Sequence, residues 1–355
     1  MQDSEICVLV TGVGGGSAGR EIMKAFKLSK HKYKIVAADM SAKSPGLFET
    51  KDRYLVPSAT SPNYIDYVLK LCKKEDIQVI APGSDPEIEK ISKNARLFEE
   101  HGIKVLVNPW NIIKLCVDKY ELMNFLQSKN VKCPNFFLFQ SESDLEKIDS
   151  YPVVIKPRFG AGSRNVFVAQ DEEETLFLCR YLKKYGAEPL IQKYVGSHEE
   201  EFTIGVLYLD NGKLVTSIAM KRILGSGLST RQIIEEPQTK TKYVISSGFS
   251  QGLIDDFKEI RLMGEKIAQA LQANGPINIQ CRLVDSKIMP FEINPRFSGT
   301  TGARSLVGYN EPDMFCRYLF YNEIPTQISY KHGYVMRDLI EKFISKEDTE
   351  SISMI

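Results

Sequence analysis

The sequence predicts an α/β domain with a parallel sheet, followed by an α+β unit. Over the first third of the chain, short apolar runs alternate with amphipathic segments of helical period, which is typical of βαβ units. The remainder of the chain contains strands that follow one another through short turns, as in β-hairpins. The chain has 355 residues, of which 43% are hydrophobic and 26% charged, so it is long enough for two or three domains with full cores.

The first domain is predicted from the order of its segments. Strands are expected at 6–10, 34–39, 78–82 and 104–108, and helices at 20–29, 64–75 and 87–102. The alternation stops near Asn108-Pro109, so we assign residues 1–110 to this domain.

The rest of the chain is predicted to form two further units and an extension. Residues 111–194 contain a helical stretch at 112–130 that forms linker helices, strands around 133–140, 152–157, 165–169 and 189–195, a short polar helix at 141–148 and a helix at 172–186. Residues 195–330 contain a hairpin turning at Asp210-Asn211-Gly212, a helix at 253–273 and a second hairpin at 277–295. Residues 331–355 are an extension whose polar end is expected to fray.

Composition excludes several classes of function. A formal net charge of +1 provides no bulk attraction to nucleic acid or to a membrane surface. The N-terminus lacks a basic region before its apolar run, and no apolar stretch approaches the ~20 residues that cross a bilayer. Seven scattered cysteines without a CxxC pair argue against a disulfide framework or a zinc site. We therefore expect a cytoplasmic protein with reduced thiols and with neither nucleic-acid nor membrane partners.

A glycine-rich segment, TGVGGGSAGRE, lies between the first predicted strand and helix. Gly14, Gly16 and Gly19 satisfy G-x-G-x-x-G, and Asp39 ends the next strand 20 residues later, as in a Rossmann-like dinucleotide site. Backbone N–H groups at a helix N-terminus bind an anion of any kind. The pattern alone leaves three alternatives open: an NAD(P) site, a site for another anionic ligand that uses Gly14, Gly15 and Gly16, or a turn that binds nothing.

The segment FEINPRF at 291–297 predicts a metal site. Glu292 and Asn294 lie two residues apart on a strand and therefore share a face. Both are hard oxygen ligands, suited to Mg²⁺ when phosphates and water complete its shell. Gln280, in the preceding strand, is placed to face them. A solvated strand edge is the alternative, but it does not explain a carboxylate between Phe291 and Ile293.

Two lysines and a flexible loop indicate that the metal accompanies a polyphosphate. Lys156 ends an apolar strand, where a buried charge without a partner is costly. Lys119 lies earlier, in VDKYEL, and the loop RFGAGSR at 158–164 has small residues between two arginines. Such a loop is suited to closing over phosphates.

These residues carry a resemblance to a known family. VDKYEL, VVIKPRFGAGSRNV, IQKYVGSHEEEFTIGVL and FEINPRFSGTT resemble successive motifs of the ATP-grasp superfamily, in particular its carboxylate-amine ligases similar to carbamoyl phosphate synthase. The resemblance covers roughly residues 5 to 325. It implies a Rossmann-like, pre-ATP-grasp domain followed by a two-lobed ATP-grasp fold.

The resemblance also implies roles for single residues. ATP phosphates would be bound by Lys119, Lys156 and the lid formed by Gly160, Ala161, Gly162 and Ser163. The hinge Gln192, Lys193, Tyr194 and Val195 would receive adenine, and the acidic cluster Glu199, Glu200 and Glu201 would supply the ribose ligand, for which we select Glu201. Gln280, Glu292 and Asn294 would hold Mg²⁺, for which Mn²⁺ could substitute. Arg296 would face the transferred phosphate, so that Arg296 and Lys156 are the expected catalytic residues.

The implied function is an ATP- and Mg²⁺-dependent ligase that joins a small carboxylic acid to an amine through an acyl phosphate. Arg222 and Arg231 in segment 221–232, and Arg304 after the metal strand, are candidate ligands of the substrate carboxylate. A monomer or homodimer acting on small molecules is expected. The alternatives are a carbamoyl-phosphate-type kinase, a nucleotide sensor without turnover and, least favoured, an NAD(P) oxidoreductase.

Overall fold

A five-stranded parallel sheet forms the first domain. The structure is a computed structural model that describes residues 5–225, 228–325 and 328–354. The elements of this domain are β1 (Ile6–Thr11), α1 (Ala18–Lys27), β2 (Tyr33–Asp39), β3 (Arg53–Leu55), α2 (Tyr64–Lys74), β4 (Val79–Pro82), α3 (Asp85–Lys93), α4 (Ala95–Glu100) and β5 (Lys104–Val105). The strand order is β3-β2-β1-β4-β5. The order reverses between β1 and β4, and parallel sheets bind ligands outside the carboxyl ends of their strands at such a point.

A four-stranded antiparallel sheet follows, in the order β6-β9-β7-β8. Its unit comprises α5 (Trp110–Val117), α6 (Lys119–Ser128), β6 (Phe136–Leu138), β7 (Val153–Pro157), β8 (Phe167–Ala169), α7 (Glu172–Lys184) and β9 (Pro189–Lys193). The helical stretch predicted at 112–130 forms two helices, α5 and α6. Asp118 interrupts it with an extended backbone, and its carboxylate caps α6 by accepting from the backbone N–H groups of Tyr120 and Glu121.

A larger antiparallel sheet has the order β16-β15-β10-β11-β14-β17. The remaining elements are β10 (Glu201–Leu209), β11 (Leu214–Ile223), β12 (Thr230–Glu235), β13 (Lys242–Ser246), β14 (Gln251–Ile254), α8 (Lys258–Ala270), β15 (Gly275–Val284), β16 (Lys287–Asn294), α9 (Thr301–Leu306), α10 (Glu311–Tyr321), β17 (Gly333–Val335) and α11 (Lys346–Glu350). Both predicted hairpins are confirmed, as β10–β11 and β15–β16. The predicted helix at 253–273 begins only at Lys258, because 251–254 pairs with β11 as a strand.

Two apolar cores hold the large sheet. One face, with Ile204, Ile279 and Ile293, packs against residues of α6 and α8. The opposite face, with Leu207 and Ile218, shares a single buried cluster with β1 and α1 of the first domain and with α9 and α10. Because this core is continuous, the β1–α1 loop and the loops after β16 are held at fixed positions relative to each other.

The C-terminal extension is docked, so the expectation of a frayed tail is wrong. β17 pairs with β14 at the edge of the large sheet. Further along, the backbone N–H of Leu55 donates to Ser353 at 3.1 Å, which adds the tail to the edge of the parallel sheet. The seven cysteines are all buried and unpaired. Within the described ranges, no helix is long and apolar enough to cross a bilayer.

Candidate nucleotide and metal site

A cleft of about 760 Å³ opens between the four-stranded sheet and the large sheet. Ten of the residues predicted to bind ATP line it: Lys119, Lys156, Gly160, Ala161, Ser163, Gln192, Lys193, Tyr194, Val195 and Glu201. Its walls include the apolar side chains of Val154, Val166, Ile245 and Phe291. A cleft with apolar walls and cations to one side is suited to a planar base attached to a polyphosphate.

Lys156 lies at the end of β7 with 6% of its surface exposed. Its ammonium donates to the side-chain oxygen of Gln192 at 2.8 Å and to the backbone oxygen of Phe291 at 3.2 Å. Burial and the charge of Lys119 together lower the pKa of Lys156 to about 8, against the opposing effect of Glu292. A buried ammonium without a carboxylate partner is poised to gain from an incoming phosphate.

Lys119 is the first residue of α6 and reaches the glycine loop, where its ammonium donates to the backbone oxygen of Gly160 at 2.6 Å. The adjacent Asp118, which caps the helix, also accepts two hydrogen bonds from Arg158, at 2.9 and 2.7 Å. Asp118 thus fixes both Lys119 and the start of the loop. Sequence reasoning missed this role, although the helix-capping carboxylate before Lys119 was visible in the motif.

The glycine loop itself is open. A side chain placed on Gly160 or Gly162 would meet nothing within 4 Å, and both residues have positive φ, at 132° and 69°. At its far end the Ser163 hydroxyl donates to the backbone oxygen of Ser246 at 2.9 Å. The loop therefore has few contacts to break if it moves, as a lid over phosphates requires.

The three predicted metal ligands converge. Gln280 and Glu292 are directly paired between β15 and β16, and all three ligands line a second cavity of about 420 Å³ next to the first. Ile293, between Glu292 and Asn294, is 3% exposed and packs into the core beneath the sheet, which holds its neighbours in the cavity.

The chemistry of this donor set fits Mg²⁺. It offers one carboxylate and two amide oxygens, and no cluster of three or more His, Cys, Asp or Glu suited to a metal occurs in the described part of the chain. Mg²⁺ characteristically takes one or two carboxylates together with phosphates and water.

Arg296 crosses from the large sheet to the first domain. Its guanidinium donates to Asp85, the first residue of α3, at 2.5 and 3.4 Å, and to the side-chain oxygen of Asn294 at 3.3 Å. Arg296 lines the second cavity together with Glu292, and its role toward a transferred phosphate stays a prediction. Asp85, which sequence reasoning did not select, holds it there from a different domain.

The structure contradicts the predicted substrate contact of Arg304. This side chain is 1% exposed beneath β10, where Gly205 leaves room for it, and donates to Asn278 at 2.7 Å and to Glu311 at 3.4 Å. It is an internal ion pair and lines neither cavity. Arg231 is exposed on β12 and also lines neither cavity. Positions 226 and 227 of the same predicted segment lie outside the described residues.

Arg222 does line the second cavity, but its guanidinium already donates hydrogen bonds to other residues of the protein. It donates to Glu201 at 2.7 Å, to the Ser246 hydroxyl at 2.8 Å and to the side-chain oxygen of Gln280 at 2.9 Å. The predicted fork on a substrate carboxylate is therefore not available in this arrangement. Arg222 instead orients Gln280.

Glu201 is fully buried between two arginines. One oxygen accepts from Arg222 and the other from Arg282, at 3.0 and 2.9 Å. Arg282, which sequence reasoning missed, also donates to the backbone oxygen of Val195 and stacks over Tyr194, 4.3 Å from the ring centre. It thereby anchors the hinge. Glu199 is exposed, and the choice of ribose ligand within the cluster stays a prediction.

The β1–α1 loop reaches the large sheet. A side chain on Gly16 would lie 3.4 Å from the ring of Phe249, next to Gly248 and Ser250 of the second cavity. Gly14, Gly15 and Gly16 themselves line neither cavity. Whether Gly14, Gly15 and Gly16 bind a substrate anion stays a prediction.

Comparison with known protein families agrees with this geometry. A family model described as an ATP-grasp domain matches residues 116–300, more than half of the chain. The chain belongs to the ATP-grasp family. Ahead of that domain, residues 8–106 match a family described as the N-terminal domain of PylC-like proteins.

Relatives of this ATP-grasp chain include much longer proteins. The carbamoyl phosphate synthase large chain of Thermoplasma acidophilum is 22% identical over 277 residues, in an alignment that covers 75% of this chain and 25% of that protein. The arginine-specific large chain of Bacillus subtilis is 24% identical over 272 residues, covering 73% of this chain and 24% of that protein. The chain thus spans about a quarter of the length of these relatives.

Solved structures share the fold over nearly the whole chain. N5-carboxyaminoimidazole synthetase from Staphylococcus aureus, complexed with ADP, has a TM-score of 0.66 at 16% identity and covers 93% of this chain and 82% of its own. L-amino acid ligase from Bacillus licheniformis has a TM-score of 0.64 at 18% identity, with 90% and 74% covered.

Proposed function

We propose that this protein is an ATP- and Mg²⁺-dependent carboxylate-amine ligase that works through an acyl phosphate and releases ADP and phosphate. The observation that carries the proposal is the convergence of two sets of residues on one cleft. Lys119, Lys156 and most of the glycine loop line the cleft, Asn294 lines the second cavity next to it, and Glu292 lines both.

The chemistry explains why both sets are needed. A carboxylate is a poor electrophile because its leaving group would be an oxide, so phosphorylation by ATP supplies a better one. In phosphoryl transfer the charge lies on the phosphoryl oxygens, and catalysis rests on positioning and charge stabilisation. Lys156 and Lys119 neutralise phosphate charge, the glycine loop excludes water, and Arg296 stabilises the acyl phosphate and the tetrahedral species formed when the amine attacks.

Gln280, Glu292 and Asn294 are the residues that would hold Mg²⁺, or Mn²⁺ in its place. The ion would neutralise charge on the nucleotide phosphates and orient them. Arg222 contributes by fixing the side chain of Gln280. We further assign adenine to the hinge from Gln192 to Val195, and the ribose to the acidic cluster.

The lining of the second cavity supports a small polar acid, such as an amino acid or a carboxylated sugar derivative. Every residue that lines it is a glycine or carries a polar or charged side chain: Gly162, Ser163, Thr203, Arg222, Gly248, Ser250, Asn278, Gln280, Glu292, Asn294, Arg296, Ser298, Gly299 and Thr300. An aliphatic acid would find no apolar side chain in this lining to pack against. The ligase from Bacillus licheniformis is named for an amino acid substrate, which agrees with this class.

The similarity to carbamoyl phosphate synthase supports a second candidate, a kinase of carbamoyl-phosphate type. Its acid would be bicarbonate or carbamate in place of an organic acid. We also propose the domain division at residues 110, 194 and 330, a cytoplasmic monomer or homodimer, and small molecules as the only partners.

Product analysis tests the proposal. The full chain is incubated with ATP, Mg²⁺ and pooled amino acids, sugar acids and amines, and both nucleotides and new masses are read. ADP together with a product of mass acid plus amine minus water is the expected result. ADP formed only with bicarbonate would support the second candidate, whereas AMP and pyrophosphate would overturn the acyl-phosphate mechanism.

The variant Glu292→Gln tests the ligand assignment. Loss of the one carboxylate should lower Mg²⁺-dependent turnover by at least about a hundredfold, with the melting temperature unchanged because Glu292 is only half-buried. Glu259→Gln, on the exposed side of α8, is the matched control. Wild-type turnover by Glu292→Gln would remove this residue from the metal site.

A further inference from the structure

Gln192 carries an unpaired hydrogen-bond donor inside the nucleotide cleft. The side chain lines the cleft and is 2% exposed. Its oxygen accepts from the Lys156 ammonium at 2.8 Å, while its nitrogen, Nε2, is buried and has no partner. Buried amide nitrogens are nearly always paired, so an unpaired one that lines a binding cleft points to a ligand.

The orientation of this amide follows from its neighbour. An ammonium group donates hydrogen bonds and accepts none, so the atom that faces Lys156 must be the oxygen. The NH₂ group must then point away from Lys156. The cleft is therefore lined by two hydrogen-bonded side chains that each carry a donor, the Lys156 ammonium and the Gln192 amide.

Two adjacent donors suit an edge with two acceptors. A purine with a 6-oxo group presents O6 and N7, both acceptors, on one edge, whereas adenine presents the N7 acceptor beside the N6 amino donor. A glutamate at position 192 would offer only acceptors and would suit the amino group. The amide found here offers a free N–H instead.

We propose that Gln192 is a specificity determinant that favours an acceptor at purine position 6, so that the protein uses 6-oxo purine nucleoside triphosphates alongside ATP. This inference rests on the proposed nucleotide function of the cleft. It concerns the base alone and leaves the phosphate and metal residues as described above.

Binding of ATP and ITP by the full chain in Mg²⁺, measured by calorimetric titration, tests the inference. ITP carries the 6-oxo group and no other substituent, but its N1 also changes from acceptor to donor. The measured quantity is therefore the ratio Kd(ITP)/Kd(ATP), compared between wild type and Gln192→Glu, because the contribution of N1 cancels in that comparison. We expect the ratio to rise at least about tenfold in Gln192→Glu, the size of one hydrogen bond gained or lost.

Two further variants keep the result interpretable. Gln192→Leu removes donor and acceptor together and should give an intermediate ratio. Gln269→Glu, exposed on α8, adds the same charge away from the cleft and should leave the ratio unchanged. If Gln192→Glu does not fold, Kd(ITP)/Kd(ATP) of Gln192→Leu tests the inference in its place. The inference then requires this ratio to differ from the wild-type ratio by about threefold or more.

The outcomes separate this inference from the proposed function. A ratio that changes less than about threefold in Gln192→Glu, with ATP still bound, overturns the role of Gln192 alone. If both nucleotides bind and Kd(ITP)/Kd(ATP) changes as expected, but no ligase product forms, the proposed ligase function is wrong and the role of Gln192 in base specificity stands. If wild type binds neither nucleotide, both are wrong.

Discussion

Two glycine-rich loops of this chain use glycine for opposite reasons. In the first domain, Gly19 and Gly83 allow backbones to touch: a side chain on either would lie within 2.5 Å of backbone atoms, and one on Gly83 would meet Gly19 itself. In the second loop, Gly160 and Gly162 have open space around them. The first loop is tightly packed at its end, at Gly19, whereas the glycines of the second loop meet no neighbouring atoms. Similar sequences, GVGGGSAG and FGAGSR, thus serve packing in one case and motion in the other.

Substitution at Gly83 should give the largest effect, on stability. In Gly83→Ala the new methyl would lie 2.5 Å from the Cα and N of Gly19 and from the backbone oxygen of Thr11. None of these atoms belongs to a flexible side chain, so α1 must shift from the sheet, and we expect a loss of about 3 kcal/mol in the free energy of unfolding. Urea denaturation measures it.

Gly15→Ala is the matched control in the first loop. Its new methyl would meet nothing closer than 3.8 Å, so stability should change by less than about 0.5 kcal/mol. Equal losses in Gly15→Ala and Gly83→Ala would contradict the packing role assigned to Gly83.

Arg337 links α1 to residues that line the second cavity, and its substitution should have the next largest effect on stability. From the C-terminal extension it donates to Glu21 of α1 at 3.0 and 3.2 Å, to the backbone oxygen of Ser250 at 2.9 Å and to that of Gly299. Arg337→Ala leaves Glu21 without its partner and should cost about 2 kcal/mol of stability. Because Ser250 and Gly299 line the second cavity, KM for the acid should rise while KM for ATP stays constant.

The control for this variant is Arg96→Ala, at an exposed ion pair on α4. It should change neither stability nor KM measurably. A parallel rise of both Michaelis constants in Arg337→Ala would indicate general loosening of the fold in place of a role in positioning the substrate loops.

Substitution in the open loop should affect function more than stability. Gly162→Ala meets no atom but must hold a φ of 69°, which costs an L-residue about 1 kcal/mol. That cost restricts the loop conformations, so kcat/KM for ATP should fall roughly tenfold. Gly186→Ala shares the positive φ and the open surroundings but lies after α7, away from the cleft, and should leave kcat/KM unchanged. Equal effects on kcat/KM in the two variants would remove the lid role.

The contrast between the loops also shows where sequence reasoning succeeds. Strand alternation located the parallel domain, both hairpins and the strand face that Glu292 and Asn294 share, because those depend on local periodicity and on spacing within one strand. The contacts of Asp85 with Arg296 and of Arg337 with Glu21 join residues more than 200 positions apart. No local pattern encodes such pairs. Arg304 of α9 was misassigned because its burial depends on Gly205, about 100 positions earlier in β10.

The two loops also differ in the charge beside them. The open loop is flanked by the buried ammonium of Lys156, which loses its proton near pH 8. The pKa of Lys156 is lowered to about 8 by burial and by Lys119, against the opposing effect of Glu292, so its charge is present below that pH and lost above it. The Cys133 thiol nearby stays neutral, because burial raises its pKa to about 12.

A bound phosphate would favour the charged form of Lys156, so we expect ATP binding to weaken, with Kd rising roughly fourfold from pH 7 to pH 8.5. Lys156→Arg keeps its charge over this range and should give a flat profile, apart from any general loss of affinity. If calorimetry shows the same pH dependence in Lys156→Arg as in the wild type, another group is responsible, and Lys119, whose pKa is also lowered by burial, is the next to substitute.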